Sequence, residues 1–297
     1  MSKESRLSIV IPAFNEADNL EIILPEIIDY CKLNNAKVIL INDGSRDNTI
    51  SILEQYKNIE EISIIHHKLN KGYGAAIKSG IYACKTEYVI TIDADGQHSI
   101  SDVDKLYKII TKTDADMIVG SRKGLKSASF MRKVGKTMIR VIAKILMNVP
   151  IHDINSGMKI YRTDLTKKYL VLTPDTMSYS DIITLIFINK RHLVLEESIT
   201  ISNRKNGKST IRLETAFQTV MEIINIVIMF NPIKIFFPIS VICFLIGVGI
   251  GIPVLIAGRG ISGGSLLGIF SGILFFLLGL IAEQLSWIRR NHRNKDL

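Results

Sequence analysis

Two long uncharged runs near the end of the chain constrain its fold more than any other feature. Ile235 to Gly258 is 24 residues without a charge, and after the lone Arg259 another 23 follow before Glu283. At about 1.5 Å per residue, a helix of either run spans roughly the 30 Å hydrocarbon core of a bilayer. The expectation is therefore a membrane hairpin with helices at about 236–258 and 265–286, and not a single water-soluble globule. What precedes it, residues 1–210, is enough for one α/β domain. Residues 211–234 read as amphipathic juxtamembrane helices, because Thr215–Met229 carries one charge, Glu222, and ends at Asn231-Pro232. Residues 289–297 form a basic tail.

The formal charge is +9. Lys234, Arg289, Arg290, Arg293 and Lys295 flank the outer ends of the hairpin, whereas Arg259 alone sits in its turn. That asymmetry predicts that both termini and the domain preceding the hairpin lie in the cytoplasm, and it attributes the positive charge to lipid and phosphate instead of nucleic acid. Cys31, Cys84 and Cys243 form no CxxC pair and suit a reducing compartment. The opening MSKESRLSIVIPAFNE reads as a first strand and not as a signal peptide.

Over the first 120 residues, short β-rich runs alternate with amphipathic ones, the pattern of βα units around a mostly parallel sheet. Strands are expected at Leu7–Ile11, Val38–Ile41, Ile62–Ile65, Tyr88–Ile92 and Met117–Val119, with helices between them. In open α/β sheets ligands bind beyond the carboxyl ends of strands, and Asn15, Asp43, Asp93, Asp95 and Arg122 all fall at such ends. Phe130–Leu146 reads as a basic amphipathic helix containing Arg132. Helix is also expected at Ser178–Asn189 and strand at Leu193–Glu196; Lys159 and Arg162 read as a second phosphate-facing loop beside Asp153-Ile-Asn155-Ser-Gly157.

Asp93-Ala-Asp95 carries the sharpest chemistry. Two carboxylates directly after a buried strand are hard oxygen donors suited to Mg²⁺ or Mn²⁺, which would neutralise a diphosphate. Gly96-Gln97-His98 adds a turn and polar groups, and no Cys/His cluster speaks for zinc. Asn70-Lys-Gly-Tyr-Gly74 is not GxxxxGK[ST], and no GxGxxG follows a strand, so ATPase and dinucleotide chemistry are not supported. Arg122, Arg132, Arg204 and Lys208 are the candidate phosphate contacts.

Taken in order, IPAFNE (11–16), INDGSRDNT (41–49), NKGYGAA (70–76), DADGQH (93–98), GSR (120–122), DINSG (153–157) and RKNGKS (204–209) resemble the family 2 glycosyltransferases of GT-A fold. The likeness is to their membrane-anchored polyprenyl-phosphate branch, of the dolichyl-phosphate mannose synthase type. It implies a GT-A nucleotide-sugar-binding sandwich followed by interfacial helices and a two-helix transmembrane hairpin. It also implies inverting, metal-dependent transfer of a hexose or amino-hexose from a UDP- or GDP-sugar to undecaprenyl or dolichyl phosphate.

By the same resemblance, Pro12, Ala13, Asn15, Glu16 and Asp43 border the donor nucleotide. Asp93, Asp95 and Gln97 hold the Mg²⁺ or Mn²⁺ and the diphosphate, and Arg122, Arg132, Arg204 and Lys208 receive the acceptor phosphate. Asp95, Arg122 and Arg132 are the catalytic candidates, with Asp181 standing where relatives often carry a glutamate. Asn42-Asp43 replaces the two aspartates of many members, which implies altered base recognition. Two alternatives stay open: an anchored transferase acting on a glycan or other hydroxyl acceptor, and a non-catalytic membrane scaffold. The reading admits a homo-oligomer without requiring one.

Overall fold

The computed structural model describes residues 5–122, 150–200 and 231–292, together with 221, 224, 227 and 228. These belong to two compact units, one holding residues 5–122 and 150–200 and the other residues 231–292. The anticipated Phe130–Leu146 helix lies outside the described residues, as does nearly all of the Thr215–Met229 helix.

The first unit is built on seven strands: β1 Leu7–Ala13, β2 Lys37–Asn42, β3 Ile62–His66, β4 Tyr88–Thr91, β5 Met117–Ser121, β6 Lys159–Arg162 and β7 Val194–Ser198. They form one sheet in the order β3-β2-β1-β4-β6-β5-β7. Every neighbouring pair is parallel except those of β6, which runs antiparallel to both β4 and β5. Between the strands lie α1 Ala17–Asn34, α2 Thr49–Gln55, α3 Tyr73–Ala83, α4 Ile100–Thr113, α5 Thr163–Tyr169 and α6 Tyr179–Asn189.

Both faces of the sheet are covered, which is why β1 and β2 are continuous apolar runs and not alternating ones. Ile9 and Ile11 join Leu20 and Leu24 of α1 and Val103 and Leu106 of α4 in one buried core. On the other face α3 comes so close that a Cβ on Gly80 would meet Val10 Cγ1 at 2.5 Å and Ile41 Cδ1 at 2.7 Å. Pro12 does not end β1 but sits inside it. Its pairing with β4 stops at Val10, and Pro12 lies on that same side of the strand, where no further ladder bond is required of it.

The Lys159–Arg162 loop is not found: these residues form strand β6, fully hydrogen-bonded between β4 and β5. Lys159 is wholly buried there, and Arg162 pairs with Asp114. The reason is pairing at long range. A four-residue strand carries too little pattern to be seen alone, and this one is fixed by partners about 40 to 70 residues earlier in the chain.

The second unit contains α7 Ile233–Ile256 and α8 Gly263–His292, both long and apolar enough to cross a membrane. The first begins three residues before the expected start, with Pro232 at its N-cap, and the second runs on past the apolar stretch to His292. Leu245, Ile256, Leu266 and Phe270 are all more than half exposed, as lipid-facing side chains would be. The helices meet through glycine: a Cβ on Gly268 would lie 2.6 Å from Gly247 Cα, and one on Gly272 would lie 2.8 Å from Phe244 Cβ. Gly249, by contrast, has nothing within 4 Å of its would-be Cβ. In detergent micelles Gly268→Leu should destabilise the hairpin by about 1–3 kcal/mol through overpacking, whereas Gly249→Leu should leave the melting temperature nearly unchanged. Equal effects would mean that the two helices do not pack through this seam.

Candidate active site

The carboxyl ends of β1 and β2 are tied to each other. Asn15, in the left-handed region at φ 56°, accepts the Arg46 amide on Oδ1 at 2.8 Å, and its own amide donates to Ser45 Oγ at 3.0 Å. The Glu16 amide donates to Thr49 Oγ1 and the Ala17 amide to Asp47. Of the expected donor-side residues, Asn15 is exposed and Glu16 half-buried, while Pro12 and Ala13 are strand residues with buried side chains. Those two can border a ligand only through backbone.

Asp43, which follows β2, is 2% exposed, and its carboxylate accepts His67 Nδ1 at 2.6 Å and the amides of Lys71 and Gly72 at 2.9 Å each. These bonds hold the 70–72 segment against the end of β2. Gly44 lets this happen: its φ is +69°, and a Cβ there would lie 2.6 Å from Asn70 N. Beside it opens a cleft of about 440 Å³ lined by Phe14, Asn42, Arg46, Ile50, Glu54 and His66, among others. Asn42 meets His66 Nδ1 at 3.2 Å through Nδ2 and accepts the Ser45 amide on Oδ1. The residue that departs from the two-aspartate pattern therefore lies in the wall of this cleft.

At the end of β4, Asp93 is held from several sides. Tyr73 donates its hydroxyl to Oδ1 at 2.8 Å, and His98 Nε2 approaches Oδ2 at 3.4 Å. Burial by itself raises the Asp93 pKa, but His98, the Tyr73 hydrogen bond and the charge of Arg122 outweigh it and keep the carboxyl below its usual range. The side chain remains 35% exposed. A Cβ on Gly157 would fall 2.4 Å from Asp93 Oδ2, so any other residue there would have to displace this carboxylate. Asp95 accepts the Gln97 amide at 3.1 Å across a turn in which Gly96 has φ +71°.

Among the described residues no three His, Cys, Asp or Glu side chains cluster as a complete metal cage. Two carboxylates and the Gln97 side-chain carbonyl oxygen at one strand end are instead a donor set suited to Mg²⁺ or Mn²⁺ whose remaining positions are filled by substrate phosphate and water.

Arg122, at the end of β5, is already paired. Its backbone amide and Nε donate to Asp153 Oδ2 at 3.0 and 2.7 Å, and Nη2 donates to Asp153 Oδ1 and Asn155 Oδ1, each at 2.8 Å. Among the described residues these contacts leave out the Nη1 edge. Asp153 is anchored in turn by Glu196 of β7, whose carboxylate accepts the amides of His152 at 3.0 Å and Asp153 at 2.9 Å.

Behind this pair lies Lys159. It is 0% exposed and donates to the carbonyls of Ile154, Ser156 and Ser180 at 2.9, 2.6 and 2.7 Å. Burial lowers its pKa to about 7, opposed by the charges of Asp181 and Asp153, and the three acceptors match the three donors of the protonated form. Asp181 is buried in the first turn of α6, where its charge acts on Lys159 and Arg122. Arg132, Arg204 and Lys208 lie outside the described residues.

Asp93, Asp95, Gln97 and Arg122 thus stand past the carboxyl ends of β4 and β5, the two strands that flank β6. Tyr73, Gly157, Asn155 and Glu196 carry no individual site role in the sequence reading, although Asn155 and Gly157 stand in its 153–157 loop. The first three lie inside recognisable motifs, but Glu196 has no local signal, since its partners are 43 and 44 residues earlier.

A profile of the glycosyl transferase family 2 matches residues 8–170, and one of the GtrB C-terminal hairpin matches residues 231–288. The chain is 32% identical over 164 residues to an undecaprenyl-phosphate 4-deoxy-4-formamido-L-arabinose transferase of Proteus mirabilis, covering 54% of this chain and 50% of that protein. It is 26% identical over 215 residues to the polyprenol monophosphomannose synthase of Mycolicibacterium smegmatis, covering 69% and 80%. The chain therefore spans about half the length of the first relative and most of the second. Among solved structures it resembles glucosyl-3-phosphoglycerate synthase of Mycobacterium tuberculosis in complex with Mn²⁺, UDP-glucose and phosphoglyceric acid. The TM-score is 0.58 at 14% identity, over 75% of this chain and 80% of that one, a likeness of fold.

The Glu196 carboxylate supplies a pH test of how the site is held. Burial raises its pKa, but the Ser121 hydroxyl and the His152 and Asp153 amides outweigh this and lower it. A depressed carboxylate stabilises the fold above its unfolded pKa and loses that contribution as pH falls through the folded value. Glu196→Gln should lower the melting temperature at neutral pH by about 2–4 °C, the shift about 1 kcal/mol produces in a unit of this size. The difference from wild type should close as pH falls to about 4 or below. A gap that stays constant with pH would show that the carboxylate charge is not what anchors Asp153.

Proposed function

The chain belongs to glycosyl transferase family 2, and from that premise we propose that it transfers a sugar from a UDP- or GDP-sugar to a polyprenyl phosphate at the cytoplasmic face of a membrane. The observation that carries the reading is the joint presence of a strand-end Asp93/Asp95 pair after β4, an arginine held at the end of β5, and a two-helix apolar hairpin. The first suits a diphosphate donor, the second an anionic acceptor, and the third an acceptor that does not leave the bilayer. Two relatives, one named for undecaprenyl phosphate and one for polyprenol monophosphomannose, support the acceptor class. Lys234, Arg289 and Arg290 at the outer ends of the hairpin, against Arg259 in its turn, support the cytoplasmic orientation.

A phosphate monoester has its second pKa near 6, so at neutral pH the acceptor is already an anion and needs little help from a base. One of its oxygens attacks the anomeric carbon in line, the bond from that carbon to the β-phosphate oxygen breaks, and its electron pair leaves with the nucleoside diphosphate. The configuration at carbon inverts. Asp93, Asp95 and Gln97 would hold Mg²⁺ or Mn²⁺, which when bound neutralises charge on the departing diphosphate.

Arg122 meets the acceptor phosphate through its Nη1 edge, because Asp153 and Asn155 hold the other edge in place and fix the plane of the guanidinium. The cleft beside Asn42 and His66 takes the base, with Phe14 and Ile50 as apolar walls. Asp181 tunes the charge around Lys159 and Arg122 from a buried position. That placement favours a phosphate acceptor over a hydroxyl one, which would require an accessible carboxylate base.

Membranes containing the protein, supplied with Mn²⁺ or Mg²⁺ and a panel of radiolabelled UDP- and GDP-sugars, should pass label from at least one donor into a chloroform-soluble, acid-labile product. Asp95→Asn should reduce that transfer by about 100-fold or more, the scale of losing one charge-stabilising contact. A wild-type protein that labels no lipid with any donor would overturn the proposal.

A further inference from the structure

A lysine with no exposed surface is costly unless every donor is met, and such residues are rarely left in a sheet without a task. Lys159 lies in β6 between β4 and β5 and is not one of the groups assigned to donor or acceptor. Its three donors go to carbonyls of two different segments. Ile154 and Ser156 belong to the turn before β6, and Ser180 to the first turn of α6.

What hangs from those segments is the site itself. The turn carries Asp153 and Asn155, which grip Arg122, and Gly157, whose backbone abuts Asp93. The first turn of α6 carries Asp181, and Ser180 also meets the hydroxyl of Tyr73, the residue that donates to Asp93. The charges of Asp93, Asp153, Asp181 and Arg122 all act on the ammonium. A buried cation here offsets part of an excess of carboxylates drawn to the strand ends.

We propose that Lys159 is a positioning residue for sugar transfer: its ammonium cross-links the turn before β6 to the start of α6, and so fixes the Arg122–Asp153 pair relative to Asp93. The proposal rests on the transferase reading above. Packing alone does not account for the residue, because a methionine would fill similar space yet leave three buried carbonyls without their donor. The cross-link bears more on the acceptor side, where Arg122 is held, than on the nucleotide cleft at β2 and β3, which shares no residue with it.

Full-length Lys159→Met in detergent micelles tests this by two independent readouts. Hydrogen exchange followed by mass spectrometry should accelerate in peptides covering residues 151–158 and 179–184 while the β1–β3 region stays protected. Binding of UDP or GDP with Mn²⁺ should remain within about threefold, whereas kcat with polyprenyl phosphate at saturating donor should fall by about 100-fold, the cost of misplacing reacting groups by about 1 Å.

Ile118→Ala, which removes core volume from β5 without touching these contacts, should lower stability yet keep kcat per folded molecule. Unchanged exchange in the two peptides, or a wild-type kcat in Lys159→Met, would overturn the proposal. Should the methionine variant not accumulate as folded protein, Lys159→Arg is measured in the same way. It keeps a cation, so protected exchange and at least a third of wild-type kcat support the clamp, and their loss in a folded variant overturns it. Faster exchange in a protein whose wild type labels no lipid would uphold the cross-link and remove the transferase reading instead.

Discussion

The candidate site depends on the reversal of one strand. In a wholly parallel sheet, the segment leading into a strand lies at the end opposite to the ligand. Because β6 is antiparallel and lies between β4 and β5, its leading turn comes to the carboxyl ends of both neighbours. That places Asp153 and Asn155 against Arg122 at the end of β5, and Gly157 against Asp93 at the end of β4. One reversed strand thus joins the Asp93 and Arg122 ends of the site, and the buried Lys159 at its start ties the junction to α6.

Around this junction, the chain uses its own carboxylates to hold other groups still. Asp43 fixes the 70–72 segment, Glu196 fixes the two residues that bring Asp153 into place, and Asp153 fixes Arg122. Each accepts backbone amides as well as a side-chain donor in its neighbourhood, so the anions are satisfied without relying on exposed ion pairs, whose contribution is small. The result is a site organised before any ligand arrives. Such preorganisation matters most for a reaction in which positioning and charge stabilisation carry the catalysis.

Much of this was legible in the sequence, for reasons specific to each part. The alternation of β1 to β5 with their helices is written in apolar runs bounded by turn residues, and the strand-end positions of Asp93, Asp95 and Arg122 follow from it. The hairpin is visible because lipid demands long uncharged runs, although its helices extend beyond those runs at the outer ends. Strand β6 is not legible because four residues paired with distant strands carry no period of their own, and Lys159 reads as a loop residue with it. The bonds from His67, Lys71 and Gly72 that bury Asp43 cannot be seen from spacing either. Glu196 was invisible for the same reason, being functional only through amides more than 40 residues away.

The proposed acceptor is an anionic headgroup on an apolar chain, and the central claim is the choice of a phosphate over a hydroxyl. It is tested most directly by initial rates of the purified protein with one active nucleotide-sugar and two acceptors of equal chain length, a polyprenyl phosphate and the corresponding polyprenol. The account expects transfer to the phosphate at a rate at least about 100-fold above that to the alcohol, since only the phosphate arrives as a ready anion for Arg122. Comparable rates with the two acceptors would contradict it.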